Sequence, residues 1–275
     1  MKVALTAALA APPSAPFLIR GDFAHAFRTA SELGCDGVEI MLRRAEDTDP
    51  DELKVLMSRY SLGVPTLGTG MAAGMDRLTF TDPDPAVRSA AVDRVCGHVR
   101  LAAAIGSAVT IGLVRGKLAA RPPEQQRAAR SDALHCLAQV CHAAAPLGVE
   151  IFLEPLNRYE CDYINTLADG IAIAQQIGAP NLRLLADTFH MNMEEAGLES
   201  SLASASALLG HVHLADTNRQ APGRGHLDLP SILRTLHSFG YTRWFSLETL
   251  PLPDPIRAIQ DSLSAIRAAS SGLGG

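Results

Sequence analysis

The sequence has little excess charge of either sign. Lys and Arg number 24 against 29 Asp and Glu, a formal net charge of −5, and there is no long basic run. The clustered cations of a phosphate-backbone footprint are therefore missing, and nucleic acid is not an expected partner. Cysteines are few: Cys35, Cys96, Cys136, Cys141 and Cys161 are odd in number and form no C-x-x-C. That argues against a disulfide framework or a thiolate zinc site and fits a reducing compartment. No apolar stretch approaches the ~20 residues of a membrane helix. The opening MKVALTAALAAPPSAP imitates a signal peptide, but its apolar run Val3–Ala10 is short for one. A cytoplasmic protein with no membrane partner is expected. The glycine-rich turn of a dinucleotide fold is also missing. Gly68-Thr69-Gly70 is followed by Gly74, not by a glycine three positions on, and reads as a flexible loop.

What is present is one repeated unit. Apolar residues make up 47% of the 275 and charged residues 19%, enough to fill one large core. Short apolar runs predict strands at Val3–Leu9, Gly37–Met41, Gly63–Leu67, Ala108–Leu113, Val149–Glu154, Leu182–Asp187, His211–Ala215 and Trp244–Glu248. Helical spacing with caps lies between them. Asp22 opens a segment closed by Gly34, Asp84-Pro85 one closed by Gly106, and Thr166 one closed by Gly178. Others run from Glu124 to Ala145, from Pro230 to Phe239 and onward from Pro255. The weakest is Glu194–Leu209, which Gly197 interrupts. Eight strand–helix units with no linker before a flexible tail at about 270–275 predict a single (β/α)₈ barrel domain over residues 1–275.

Ligand-type residues stand at successive strand ends. Glu154, Asp187, His213 and Glu248 stand at or near the ends of the fifth to eighth predicted strands, at separations of 33, 26 and 35 residues. Each breaks an otherwise apolar pattern, and alternation turns each toward the barrel interior. Neighbouring parallel strands bring the four to the C-terminal mouth, where barrel active sites lie. Three carboxylates and an imidazole would repel or titrate one another if left alone. A divalent cation removes that cost, and an oxygen-rich set with one nitrogen suits Mn²⁺, Mg²⁺ or Co²⁺.

The strings EPLNRYE (154–160), ADTFHMNMEE (186–195), GHVHLADTNRQAPGRGHLD (210–228) and SLET (246–249) resemble the sugar phosphate isomerase/epimerase superfamily. That superfamily has the xylose isomerase-like barrel, and within it the sequence is most similar to the D-tagatose/D-allulose (psicose) 3-epimerases. The resemblance implies that Glu154, Asp187, His213 and Glu248 hold one divalent metal, Mn²⁺ foremost. It also implies that Glu160, His190 and Arg219 bind substrate, and that Glu154 and Glu248 are the two acid/bases of carbon-3 epimerisation through an enediolate. A small sugar substrate and a homo-oligomer, dimer or tetramer, follow from it. The same parts would serve an aldose–ketose, hydroxypyruvate or inosose isomerase or dehydratase, or an enzyme of oxidised glycosides.

Four residues lie outside that frame. Arg115 closes IGLVRG (111–116), where the resemblance does not account for it. It is expected at the barrel mouth, either binding an anionic or oxidised substituent or pairing with Glu39. Glu39 itself is balanced between substrate contact and support behind a ligand. His211, two residues before His213, is expected to be a packed, hydrogen-bonded structural histidine one layer deeper. Trp244 is expected to fill the barrel floor.

Overall fold

Eight parallel strands pair in chain order: β1 (Lys2–Ala8), β2 (Gly37–Met41), β3 (Thr66–Gly68), β4 (Ala108–Ile111), β5 (Ile151–Leu153), β6 (Leu182–Asp187), β7 (Leu209–Leu214) and β8 (Trp244–Leu247). The computed structural model describes residues 1–118 and 121–271. β8 returns to β1, with Trp244 opposite Lys2 and Leu247 opposite Leu5, so the sheet closes into the expected (β/α)₈ barrel. A two-residue strand, Ile19–Arg20, adds to the end of β1. Four residues of the expected tail, 272–275, lie outside the described residues.

The helices follow the cap signals. α1 (Phe23–Leu33), α2 (Pro50–Tyr60), α4 (Pro85–Ile105), α6 (Leu167–Ile177) and α10 (Pro255–Ser270) each begin after an Asp or Thr whose side chain accepts a first-turn N–H. Such a cap contributes ~1 kcal/mol. α5 (Pro123–Ala144) and α9 (Leu229–Ser238) complete the long segments. The weak segment, Glu194–Leu209, holds one short helix, α8 (Leu198–Ala205), capped by Gly197, and a separate short helix, α7 (Thr188–Glu194), precedes it. No described helix is long and apolar enough to cross a membrane.

Two sequence expectations are corrected here. Gly70 opens a helix, α3 (Gly70–Asp76), and Thr69 Oγ1 fixes the turn before it by donating to the Thr110 carbonyl at 2.7 Å. This segment is therefore not a flexible loop. β4 stops at Ile111 instead of Leu113, and Leu113–Arg115 form a 3₁₀ turn. At the floor, Trp244 packs on Gly37 and Gly63, where an added Cβ would stand 2.8 and 2.7 Å from its ring.

Candidate metal centre

Strand register assembles the centre. Asp187 of β6 lies opposite His213 of β7, and His213 lies opposite Ser246 of β8, two residues before Glu248. Glu154 follows β5 directly. It can lean inward because residue 112 is glycine: a Cβ there would stand 2.7 Å from Glu154 Oε2. One ligand atom from each of Glu154, Asp187, His213 and Glu248 lies within 4.8 Å of the others, and all four residues are buried. The four strand-end residues do meet.

His213 shows what the cluster fits. Its Nε2 lies 3.0 Å from Glu39 Oε1 and donates there. Its Nδ1 then faces Glu248 Oε2 at 3.3 Å, Glu154 Oε1 at 3.5 Å and Asp187 Oδ2 at 3.7 Å. That buried nitrogen has no hydrogen-bond partner. Once its proton is displaced, this nitrogen and the three carboxylates around it form a donor set for a hard divalent cation. Burial opposes charge on His213, yet Glu39 and Glu248 hold its pKa well above the usual imidazole range. Burial, reinforced by Glu248 and Asp187 against the opposing pull of His213, pushes the Glu154 carboxyl up to about 7. At Asp187 burial is outweighed: Arg219, His190 and His213 hold its pKa well below the usual carboxylate range.

Glu39 stands behind the cluster, not in front of it. Its carboxylate is fully buried and accepts from His213 on one side and from His211 Nε2, at 3.0 Å, on the other. His211 also reaches Ser246 Oγ at 2.9 Å and stacks on Phe152, one layer deeper. A carboxylate bonded to a ligand histidine fixes its tautomer and raises its basicity. Glu39→Gln is expected to weaken Mn²⁺ affinity ~10–100-fold while the barrel stays folded. Calorimetric titration checks this, and an unchanged affinity would remove Glu39 from the centre.

Above the cluster lies a cavity of about 550 Å³, lined by Glu154, His213, Glu248, Glu160, His190 and Arg219, among others. The Arg219 guanidinium bridges Asp187, at 2.6 Å, and Glu248, and lies over the Phe189 ring. Its backbone is left-handed, φ 61°, a conformation costing ~1–3 kcal/mol in a residue with a side chain. Bonds from Arg219 N–H to Asp216 O and from Leu250 N–H to Arg219 O hold it there.

Asn157 orients the other two residues, a role the sequence reading did not assign although the residue lies inside EPLNRYE. Its Oδ1 accepts the N–H groups of Tyr159 and Glu160, which fixes the amide. Its Nδ2 therefore donates to Glu160 Oε1 at 3.0 Å and to His190 Nδ1 at 2.7 Å. The His190 hydrogen is thereby placed on Nε2, 3.7 Å from Asp187 Oδ2. Burial outweighs Asp187 and brings the His190 pKa down to about 4, so the ring is a neutral donor.

Arg115 is not in this site, and the expectation that it reaches the barrel mouth is corrected. The guanidinium is 1% exposed and does not line the cavity. Nε donates to Tyr163 O, Nη1 to Gly112 O and Glu154 O, and Nη2 to Ile164 O, at 2.7–3.0 Å. It does not pair with Glu39, whose hydrogen bonds go to the two histidines. The physical reason is the early end of β4: the 3₁₀ turn swings Arg115 under the loop that follows β5.

The family model described as the xylose isomerase-like TIM barrel matches residues 27–269. The chain belongs to that family. An L-ribulose 3-epimerase of Methylomonas sp. (strain DH-1) is 30% identical over 212 residues, 77% of this chain and 73% of that protein. A 3-dehydro-D-guloside 4-epimerase of Escherichia coli (strain K12) is 39% identical over 138 residues, 50% of this chain and 52% of that one. Among solved structures, a 3-keto-D-glucoside 4-epimerase from E. coli in its apo form superposes with a TM-score of 0.80 at 27% identity, covering 98% of this chain and 99% of the other. In this family setting, the cluster of three carboxylates and an imidazole is a divalent-metal site at the barrel mouth.

Proposed function

We propose that the chain is a divalent-metal-dependent epimerase of keto sugars that inverts the carbinol carbon beside the carbonyl, carbon 3 where the substrate is a ketose. The observation that carries this reading is the pair Glu154 and Glu248, from strands three steps apart, so that they can flank a carbon in a cavity that also holds His190 and Arg219. The names of the similar proteins support it: L-ribulose 3-epimerase, ketose 3-epimerase and 3-dehydro-D-guloside 4-epimerase. A single-domain, cytoplasmic homo-oligomer, dimer or tetramer, acting on a small soluble sugar completes the proposal.

Glu154, Asp187, His213 and Glu248 would hold the cation, Mn²⁺ in this reading with Mg²⁺ or Co²⁺ able to replace it. Bound there, it supplies Lewis-acid stabilisation of the negative charge that develops on the substrate oxygens. The chain's residues do the rest. One of Glu154 and Glu248 takes the proton from the carbon, and the other returns a proton to the opposite face. Neutral His190 donates from Nε2 to a sugar oxygen, and Glu160 accepts from a hydroxyl. Arg219, a fixed donor fork, holds an oxygen next to the reacting carbon.

The test is NMR of candidate keto sugars in deuterated water with Mn²⁺-loaded, desalted protein. Deuterium is expected only at the inverted carbon, in both epimers. Deuterium entering at the first carbon of the ketose, or at the second carbon of the aldose, would instead identify a one-base aldose–ketose isomerase.

A further inference from the structure

Arg219 is carried by a long loop that no helix or strand supports. Residues 215–228 join β7 to α9 without regular structure, so their backbone N–H groups have no ladder to enter. One carboxylate collects them. Asp216 is buried, and its Oδ1 accepts from Thr217 N–H at 2.7 Å and from Leu227 N–H at 3.0 Å. Its Oδ2 accepts from Gly223 N–H at 2.7 Å. Gly225 closes the cradle: an added Cβ there would stand 2.3 Å from Asp216 Oδ1 and 2.6 Å from Thr217 Oγ1. Burial opposes the charge on Asp216, yet the N–H groups of Leu227, Thr217, Gly225 and Gly223 hold its pKa below the usual carboxylate range.

The backbone of the same residue sets the turn that aims Arg219. Asp216 N–H donates to Gln220 O, and Asp216 O accepts from Arg219 N–H, both at 2.9 Å. The main chain thus pinches the loop at 216–220, while the side chain draws back its return at 223–227. Arg219, within the pinched turn, takes its left-handed conformation and reaches Asp187 and Glu248. A carboxylate has about four acceptor positions, and its charge strengthens each bond it accepts. Asp216 does not line the cavity, so any effect on the site must travel through the loop.

We propose that Asp216 is a positioning residue: its carboxylate, through the loop N–H groups it gathers, holds the Arg219 guanidinium over Asp187 and Glu248. The proposal rests on the epimerase reading for what Arg219 does to a sugar. How the arginine is held rests on the loop geometry alone.

Two variants loosen this hub by different means. Asp216→Asn keeps the shape, removes the charge and turns an amide donor toward a backbone N–H. Gly225→Ala leaves the carboxylate intact and crowds it with a methyl group. The first measurement needs no substrate. In protein labelled with ¹⁵N-arginine and loaded with diamagnetic Mg²⁺, Arg219→Lys and Arg115→Lys identify the Nε–H resonances of the two buried arginines. Asp216→Asn and Gly225→Ala should each move the Arg219 resonance to the position of exposed arginines and leave that of Arg115 in place. An Arg219 resonance unchanged in either variant would overturn the proposal. So would loss of both resonances together, which marks general unfolding and not a local hub.

The second measurement is a double-mutant cycle on deuterium exchange into L-ribulose and D-fructose. Asp216→Asn is expected to lose on the order of 10²-fold in kcat/KM, the effect of displacing a site group by ~1 Å. In the Arg219→Ala background the same change should cost less than about twofold, because the group it positions is already gone. An equal loss in both backgrounds would show a role unrelated to Arg219 and overturn the proposal. Absence of exchange by the wild type counts against the epimerase reading alone, and the arginine resonances then decide the role of Asp216.

Discussion

Glu248→Gln protein, reloaded with Mn²⁺, is expected to lose ~10²–10⁴-fold in epimerisation rate, the range that one positioned acid/base supplies. It is still expected to exchange the substrate's proton with deuterated water for one epimer only. Glu154→Gln should show the mirror behaviour, with a similar loss of inversion and exchange confined to the other epimer. With two bases on opposite faces, the surviving carboxylate can still abstract and return a proton on its own side, so configuration is retained while the hydrogen is replaced. A one-base mechanism gives a different result, because loss of that base stops exchange for both epimers and loss of the other group stops neither. Both glutamates belong to the cluster whose ligand atoms lie within 4.8 Å of one another, so metal content is measured on each variant. The amide oxygen of Gln can still coordinate. A variant that retains its metal yet exchanges neither epimer would sink the two-base assignment.

Much of this centre could be read along the chain because its residues violate a local rule. A carboxylate at the end of an apolar strand is conspicuous in one dimension, and Glu154, Asp187 and Glu248 each are. The barrel then brings them together by a regular operation, neighbour to neighbour. Glu39 is different. It also interrupts an apolar strand, but its role depends on two histidines 172 and 174 residues away, across the barrel. Alternation along β2 shows that it points inward and does not show which atoms it meets. Asn157 was hidden for another reason: its work is to lock an amide through two backbone N–H groups and so set the tautomer of His190. That information lies in hydrogen-bond directions, which residue identity alone does not carry.

The helix α3, whose Met71 and Met75 line the cavity, illustrates a further limit. It is hidden by the glycines at 68, 70 and 74, whose composition suggests a loop. Gly70 and Gly74 would tolerate a side chain, since nothing lies within 4 Å of an added Cβ at either. Thr69, tied to the end of β4, is what fixes the turn into the helix. A tertiary bond between segments 41 residues apart overrides the weak local propensity.

Arg115→Met is expected to be the most destabilising single change outside the apolar core. The guanidinium is buried and uses four N–H groups on four carbonyls: those of Gly112, Glu154, Tyr163 and Ile164. It thereby ties the turn after β4 to the loop after β5. A methionine of similar length fills the space and leaves those acceptors without their charged donors. Hydrogen bonds to a charged group contribute ~1.5–3 kcal/mol each, and they are not additive within one cluster. A net loss on the order of 4 kcal/mol is expected, a large share of the ~5–15 kcal/mol that holds a domain together. For a chain of this size it should lower Tm by roughly 10 °C. Arg115→Lys should recover only part of this, because a single ammonium cannot fan across four carbonyls. Activity is also expected to fall, since one of the lost bonds holds the backbone of Glu154, and to fall equally on a neutral keto sugar and on its phosphorylated analogue. Thermal denaturation and paired kinetics check both claims. An Arg115 variant with unchanged Tm and a selective loss on the anionic analogue would assign this arginine to substrate binding.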